Sequence, residues 1–247
     1  MRNFKITFEY DGAAFCGWQI QAQGERTVQG ELEAVLSKIF RKPVKTIASG
    51  RTDSRVHARA QVASFKADTR MKPGEIQKAM NSLLPSDVVV LEVREVGDDF
   101  QAQYSVKSKT YRYSVLNQKV RSVFLRDRCY FYPYPLKVTV MRKAAKFLVG
   151  RHDFKSFQAH DPLRADRGTV RTIKKITISK EGHLIAIDIT ADGFLYKMVR
   201  NIAGTLLAIG SGQLPLNEMP KILKAKNRQK AWDTAPAQGL CLMSVKY

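Results

Sequence analysis

Two kinds of apolar periodicity follow one another along this chain, and then do so a second time. Phe4, Ile6, Phe8 and Tyr10 alternate with more polar neighbours, the period of a half-buried strand, and the run stops at Asp11-Gly12. Val28, Leu32, Val35, Leu36 and Ile39 then share one helical face behind Thr27, a residue suited to cap a helix, and Pro43 is expected to end it. Short strands are predicted over Val44–Ser49 and Gln61–Lys66. A helix follows near Pro73–Leu84 with Ile76, Ala79, Met80 and Leu83 inward, then a buried strand over Val88–Val93.

The second half rhymes with the first. Thr110–Asn117 reads as a strand with Tyr111, Tyr113 and Val115 on one face, and Val140–Val149 as a helix closed by Gly150. Ile173–Ser179 and His183–Thr190 form a hairpin across Lys180-Glu181-Gly182, and Lys197–Ile209 is a helix striped by Met198, Val199, Ile202, Ala203, Leu206 and Leu207. Gly204, Gly210 and Gly212 are taken to punctuate its end. Each half therefore carries strands and two helices in the order of a split β-α-β unit of ferredoxin-like type. The expected fold is α+β, with two pseudo-symmetric halves sharing a mainly antiparallel sheet. Helices would cover one face, and a basic cleft would lie at the join near residues 98–108. The halves are placed at 1–105 and 106–247.

Charge limits the partners. Of 247 residues, 42 are Lys or Arg and 22 are Asp or Glu, a net of +20, with a pI of about 10.0. Residues 1–105 hold 15 basic and 13 acidic side chains, and the rest hold 27 and 9, so the second half carries most of the attraction for a polyanion. Cys16, Cys129 and Cys241 lie far apart, and the four histidines show no ligand spacing, so neither a metal site nor a disulfide framework is expected. There is no His-x-Glu with Cys-x-x-Cys, no Walker loop and no Gly-x-Gly-x-x-Gly. Met1 leads straight into a strand pattern, and no apolar run approaches the roughly 20 residues needed to span a bilayer, so a cytoplasmic protein is expected.

Chemistry concentrates in residues 49–58, Ser-Gly-Arg-Thr-Asp-Ser-Arg-Val-His-Ala. One carboxylate, Asp53, stands two places after an arginine in a turn of small residues, an arrangement that keeps an acid charged and aimed. An ordinary Asx turn has the same look. Four other segments join it: Lys109-Thr110-Tyr111-Arg112-Tyr113, Gly150 to Phe157, Gly193 to Asn201, and Ala235 to Leu240. Together, from Tyr10-Asp11-Gly12 to the final strand over Leu240–Val245, they resemble tRNA pseudouridine synthases of the TruA type.

That resemblance implies isomerisation of uridine to pseudouridine at positions 38, 39 and 40 in the anticodon arm of tRNA, with no cofactor. It implies Asp53 as the catalytic carboxylate, Arg200 as its charge partner, Arg51 as the wedge that fills the space of the flipped base, and Tyr111 as the aromatic that stacks on the base. It also implies a homodimer. Lys107, Lys109, Arg112, Arg151, Arg164, Arg167, Arg171, Lys174 and Lys175 are expected to meet tRNA phosphates. His57 is read as a structural hydrogen-bonding residue, and Tyr113 as core. One departure stands out, because the family pattern continues Asp-x-Gly-Val-His and position 55 here is Arg. If that position needs a positive φ, the side chain costs about 1 kcal/mol. The rival readings are a non-catalytic RNA-binding protein on the same scaffold and a pseudouridine synthase for another RNA.

Overall fold

Alternating and helical apolar patterns become ten strands and five α-helices among the described residues of this computed structural model, which are 1–160 and 168–247. The chain divides into two compact units, Met1–Lys107 with Cys241–Tyr247, and Ser108–Leu240. The mixed α+β class and the predominance of antiparallel pairing agree with the sequence reading. Arg164 and Arg167 lie outside the described residues.

In the first unit β1 (Arg2–Tyr10), α1 (Val28–Phe40), β2 (Ile47–Ala48), β3 (His57–Ala67), α2 (Pro73–Leu83) and β4 (Val88–Val96) follow in order. The strands run β4-β1-β3, antiparallel at both junctions, and β2 adds to β3. The last strand, β10 (Leu240–Lys246), joins β3 in parallel through Cys241 and Leu242. Phe4, Ile6 and Phe8 of β1 are fully buried with Val28, Leu32 and Leu36 of α1 and Ile76 and Met80 of α2. Thr27 caps α1 as its type predicts, its side chain accepting from Gly30 N. That helix stops at Phe40, where Arg41 turns left-handed, ahead of the expected stop at Pro43.

Two expectations for this unit are corrected. Leu83 is 39% exposed, because α2 ends at that residue and no further turn extends the packed layer. Val88–Val96 is buried on one face only: Val88 and Val90 are buried while Val89 and Leu91 are exposed, because successive strand residues point to opposite faces of the sheet. Its backbone is met by α2, where Gln77 donates to Val90 O and Leu91 O, and Asn81 both donates to Val90 O and accepts from Val90 N. Side-chain amides here take the place of a neighbouring strand.

The second unit contains β5 (Ser108–Leu116), β6 (Tyr130–Phe131), α3 (Val138–Lys146), β7 (Gly150–Asp153), β8 (Val170–Glu181), β9 (Leu184–Ala191), α4 (Met198–Ser211) and α5 (Glu218–Ala225). The strand order is β5-β9-β8-β7, with β6 beside β5. The predicted hairpin is β8–β9, turning at Gly182. α3 begins and ends earlier than expected, and Gly150 opens β7 with φ 110 instead of capping a helix. Neither β7 nor α5 is anticipated by the sequence reading. Gly204 and Gly210 are also reassigned. They lie inside α4, where a Cβ would come within 2.0 Å of Asp233 O and 2.7 Å of Met141 Cγ respectively, so they are sites of close packing. Gly212 alone ends the helix, with φ 84.

Candidate active site

Asp53 sits on a turn between β2 and β3, in the first unit. Gln61, fully buried in β3, secures the approach. Its amide donates to Gly50 O at 3.0 Å, and its oxygen accepts from Ser49 Oγ at 2.7 Å and Val62 N at 3.1 Å. Val56 N donates to Asp53 O at 3.2 Å and closes the turn. Its third residue, Arg55, has φ 64, the position where a type II turn needs a positive φ. The condition set for position 55 is therefore met. Replacing Arg55 by glycine is expected to raise stability by roughly 0.5–1 kcal/mol, seen as a higher melting temperature with unchanged activity. A melting temperature that stays or falls would count against strain at this residue.

A second loop, Gly12 to Trp18, cradles the turn. Phe15 O accepts from Arg55 N at 3.2 Å and from Ser54 Oγ at 3.3 Å, and Trp18 N donates to Thr52 O at 3.0 Å. Buried Thr52 shares a hydrogen bond of 2.8 Å with the Tyr10 hydroxyl. Burial pushes that hydroxyl well above its ordinary pKa, so it keeps its proton at neutral pH. The loop presses close, for a Cβ on Gly12 would lie 2.1 Å from Val56 O, and one on Gly17 2.9 Å from Thr52 O. Asp53 is thus half-buried on a backbone held at both ends, with Arg51 exposed beside it. His57 plays a structural part: its Nδ1 accepts from Gly12 N at 3.0 Å. Asp11 Oδ1 is 3.1 Å from the same nitrogen and accepts from Ala13 N at 3.0 Å.

Tyr111 and Arg200 belong to the second unit. Tyr111 is 7% exposed on β5 and meets Phe194 edge to face, centroids 5.1 Å apart at 89°. Tyr113, two residues on, is fully buried and donates to Pro236 O at 2.8 Å, as befits the core residue it was expected to be. Burial raises its hydroxyl pKa, with the nearby Arg200 charge acting in the opposite sense. Arg200 is half-buried in the first turn of α4, as its place at the edge of the apolar stripe suggests. Its Nε donates to Ala235 O at 2.8 Å, while Ala235 N donates to Arg200 O at 3.2 Å.

The next residue, Asn201, is a hub that sequence reasoning missed. It is fully buried, donates to Phe157 O at 2.7 Å, and accepts from Thr234 Oγ1 at 2.6 Å and Arg228 Nη2 at 3.1 Å. The segments quoted around Phe157, Arg200 and Ala235 are thereby tied together within this unit. The only sequence signal for the hub is an amide among apolar residues on the buried face of a helix.

Among the described residues no three His, Cys, Asp or Glu side chains come together as a metal would require. No helix among them is long and apolar enough to cross a membrane.

Known proteins resemble this chain along its length. A family model described as tRNA pseudouridine synthase matches residues 6–105 and 144–247. Arg51 and Asp53 fall in the first stretch and Arg200 in the second, with Tyr111 between them. The tRNA pseudouridine synthase A of Thermoanaerobacter sp. (strain X514) is 43% identical over 247 residues, all of both chains. That of Moorella thermoacetica is 44% identical over 245 residues, 98% of each chain. The tRNA pseudouridine synthase A 1 of Bacillus cereus (strain ATCC 10987) is 43% identical over 248 residues, covering 100% of this chain and 99% of that one. Among solved structures, a chain of a Cbf5-Nop10-Gar1 complex aligns with 97% of this chain and 48% of its own, at 12% identity and a TM-score of 0.38.

Proposed function

This chain belongs to the tRNA pseudouridine synthase family, and from that premise we propose that it isomerises uridine to pseudouridine in the anticodon arm of tRNA. The reaction breaks the bond from C1′ to N1 of uracil, turns the base, and joins C1′ to C5. The proton on C5 is lost and N1 gains one, so the atoms balance without oxidant, reductant or hydrolysis. What it requires is a carboxylate held against the nucleoside and a base drawn out of its stack. The observation that carries this reading is the Asp53 turn, gripped by Phe15, Trp18 and Tyr10 so that its carboxylate has a fixed origin.

Asp53 is the catalytic residue in this proposal. Arg51 is the wedge that offsets part of the cost of flipping the base, Tyr111 stacks on the detached uracil, and Arg200 supplies a cation. Stacking of a base on an aromatic ring contributes on the order of 1–3 kcal/mol. The excess of basic residues, net +20, supplies attraction to tRNA phosphates. By the same resemblance the protein works in the cytoplasm as a homodimer, a mass that sedimentation would report.

Incubation with an unmodified tRNA transcript tests the function, with pseudouridine mapped by carbodiimide block and primer extension. Product confined to the anticodon arm is the expected result. Binding of tRNA with no product would favour a non-catalytic RNA-binding protein, and product only on another RNA would move the substrate.

A further inference from the structure

The Gly12–Trp18 loop that grips the catalytic turn is itself anchored by one side chain, Arg26. Its guanidinium lies over the Phe15 ring, 4.2 Å from the centroid, and Phe15 is the residue whose carbonyl holds Ser54 and Arg55. Nη1 and Nη2 donate to the two oxygens of Asp87 at 2.7 and 2.8 Å, and Nε donates to Glu31 at 2.7 Å. All three side chains are partly buried. The backbone repeats the connection: Cys16 N donates to Arg26 O at 2.9 Å, and Asp11 N to Asp87 O at 3.0 Å. One fork of donors therefore joins the first turn of α1, the start of β4 and the aromatic ring under the turn.

We propose that Arg26, held by Asp87 and Glu31, is a positioning residue for the isomerisation: it sets where the Asp53 turn stands by fixing Phe15. The inference rests on the function proposed above. An arginine suits this role because a planar fork can satisfy two carboxylates and lie flat on a ring at once, which a lysine cannot do. Its effect reaches the reacting carboxylate through the two hydrogen bonds that Phe15 O accepts, from Arg55 N and Ser54 Oγ, so loss of the anchor displaces Asp53 without removing any group that touches substrate. A small misplacement of a reacting group is enough to cost a large factor in rate.

The test uses the intact protein with an unmodified tRNA transcript under single turnover, enzyme in excess, reading the rate constant and the tRNA Kd separately. Arg26→Gln is expected to lower the rate constant about 10- to 100-fold with Kd within about threefold of wild type. Asp87→Asn, which keeps an acceptor but loses the charge, is expected to lower it roughly 3- to 10-fold. Arg2→Gln is the control, since Arg2 makes a similar two-pronged pair with Glu95 in the same unit and does not touch the loop; its rate should stay at wild type. A wild-type rate constant for Arg26→Gln overturns the proposal. So does a weaker Kd with an unchanged rate constant at saturating enzyme, which would make Arg26 a phosphate contact. Should Arg26→Gln fail to fold, Asp87→Asn decides by the same two readouts. If the wild type makes no product, the enzymatic reading falls and takes the positioning role with it; active wild type with indifferent variants sinks the positioning role alone.

Discussion

Asp53→Asn is expected to abolish pseudouridine formation, lowering the single-turnover rate by about 10³-fold or more. The substitution keeps the size of the side chain and one of its acceptor oxygens, and removes the negative charge. The backbone of the turn is held by groups other than that carboxylate. Val56 N reaches the main-chain oxygen of Asp53, and the cradle holds Thr52, Ser54 and Arg55 through Trp18 N, Phe15 O and the Tyr10 hydroxyl. Folding stability should therefore stay within about 1 kcal/mol of wild type, as for most partly exposed positions. Affinity for tRNA should hold within a few-fold, because attraction to phosphates comes from the basic side chains and removing an anion does not weaken it. Rate constant, melting temperature and Kd together separate these effects. Product that persists in Asp53→Asn near the wild-type rate would remove Asp53 from the chemistry and leave the turn as an ordinary structural motif.

Much of the fold is legible because local signals and packing agree. The stripe from Val28 to Leu36 behind Thr27 is both a good isolated helix pattern and the face that α1 buries. Tyr111, Tyr113 and Val115 alternate in sequence and are all buried on β5. The illegible parts have physical causes. α5 spans only eight residues and carries Pro220 near its start, so Met219, Ile222 and Leu223 make too short a stripe to read. Gly204 and Gly210 look like helix breakers, and only the tertiary structure reveals Asp233 and Met141 pressed against them. At the site, a polar turn bearing Asp53 was visible as a candidate from its own residues. The roles of Arg51, Tyr111 and Arg200 came from the family resemblance, since nothing in composition separates a stacking tyrosine from a core one. The cradle was invisible, because Arg26 and Asp87 are 61 residues apart and only folding makes them a pair.

Gly12→Ala should be the most damaging single methyl in the first unit. The added Cβ would stand 2.1 Å from Val56 O, 2.5 Å from Val56 C and 3.0 Å from Val56 N, all of them main-chain atoms that cannot rotate away. The loop cannot readily retreat either, for Gly12 N is bonded to His57 Nδ1 and Gly12 O accepts from Phe15 N. Relief therefore requires that loop and turn move apart by more than an ångström. Overpacking of this kind costs about 1–3 kcal/mol or more, read as a lower midpoint in urea with an unchanged slope. Since Val56 closes the Asp53 turn, the same movement carries the carboxylate with it, and the rate constant should fall about 100-fold in the protein that remains folded. The two losses have distinct tests. Stability is measured by denaturant titration, and rate by single turnover at a temperature where the variant is fully folded. A variant that melts like wild type would mean that the loop accommodates the methyl elsewhere. One that is destabilised yet turns over at the wild-type rate when folded would mean that the turn keeps its place without the cradle, and that Asp53 is positioned by the β2 and β3 side alone.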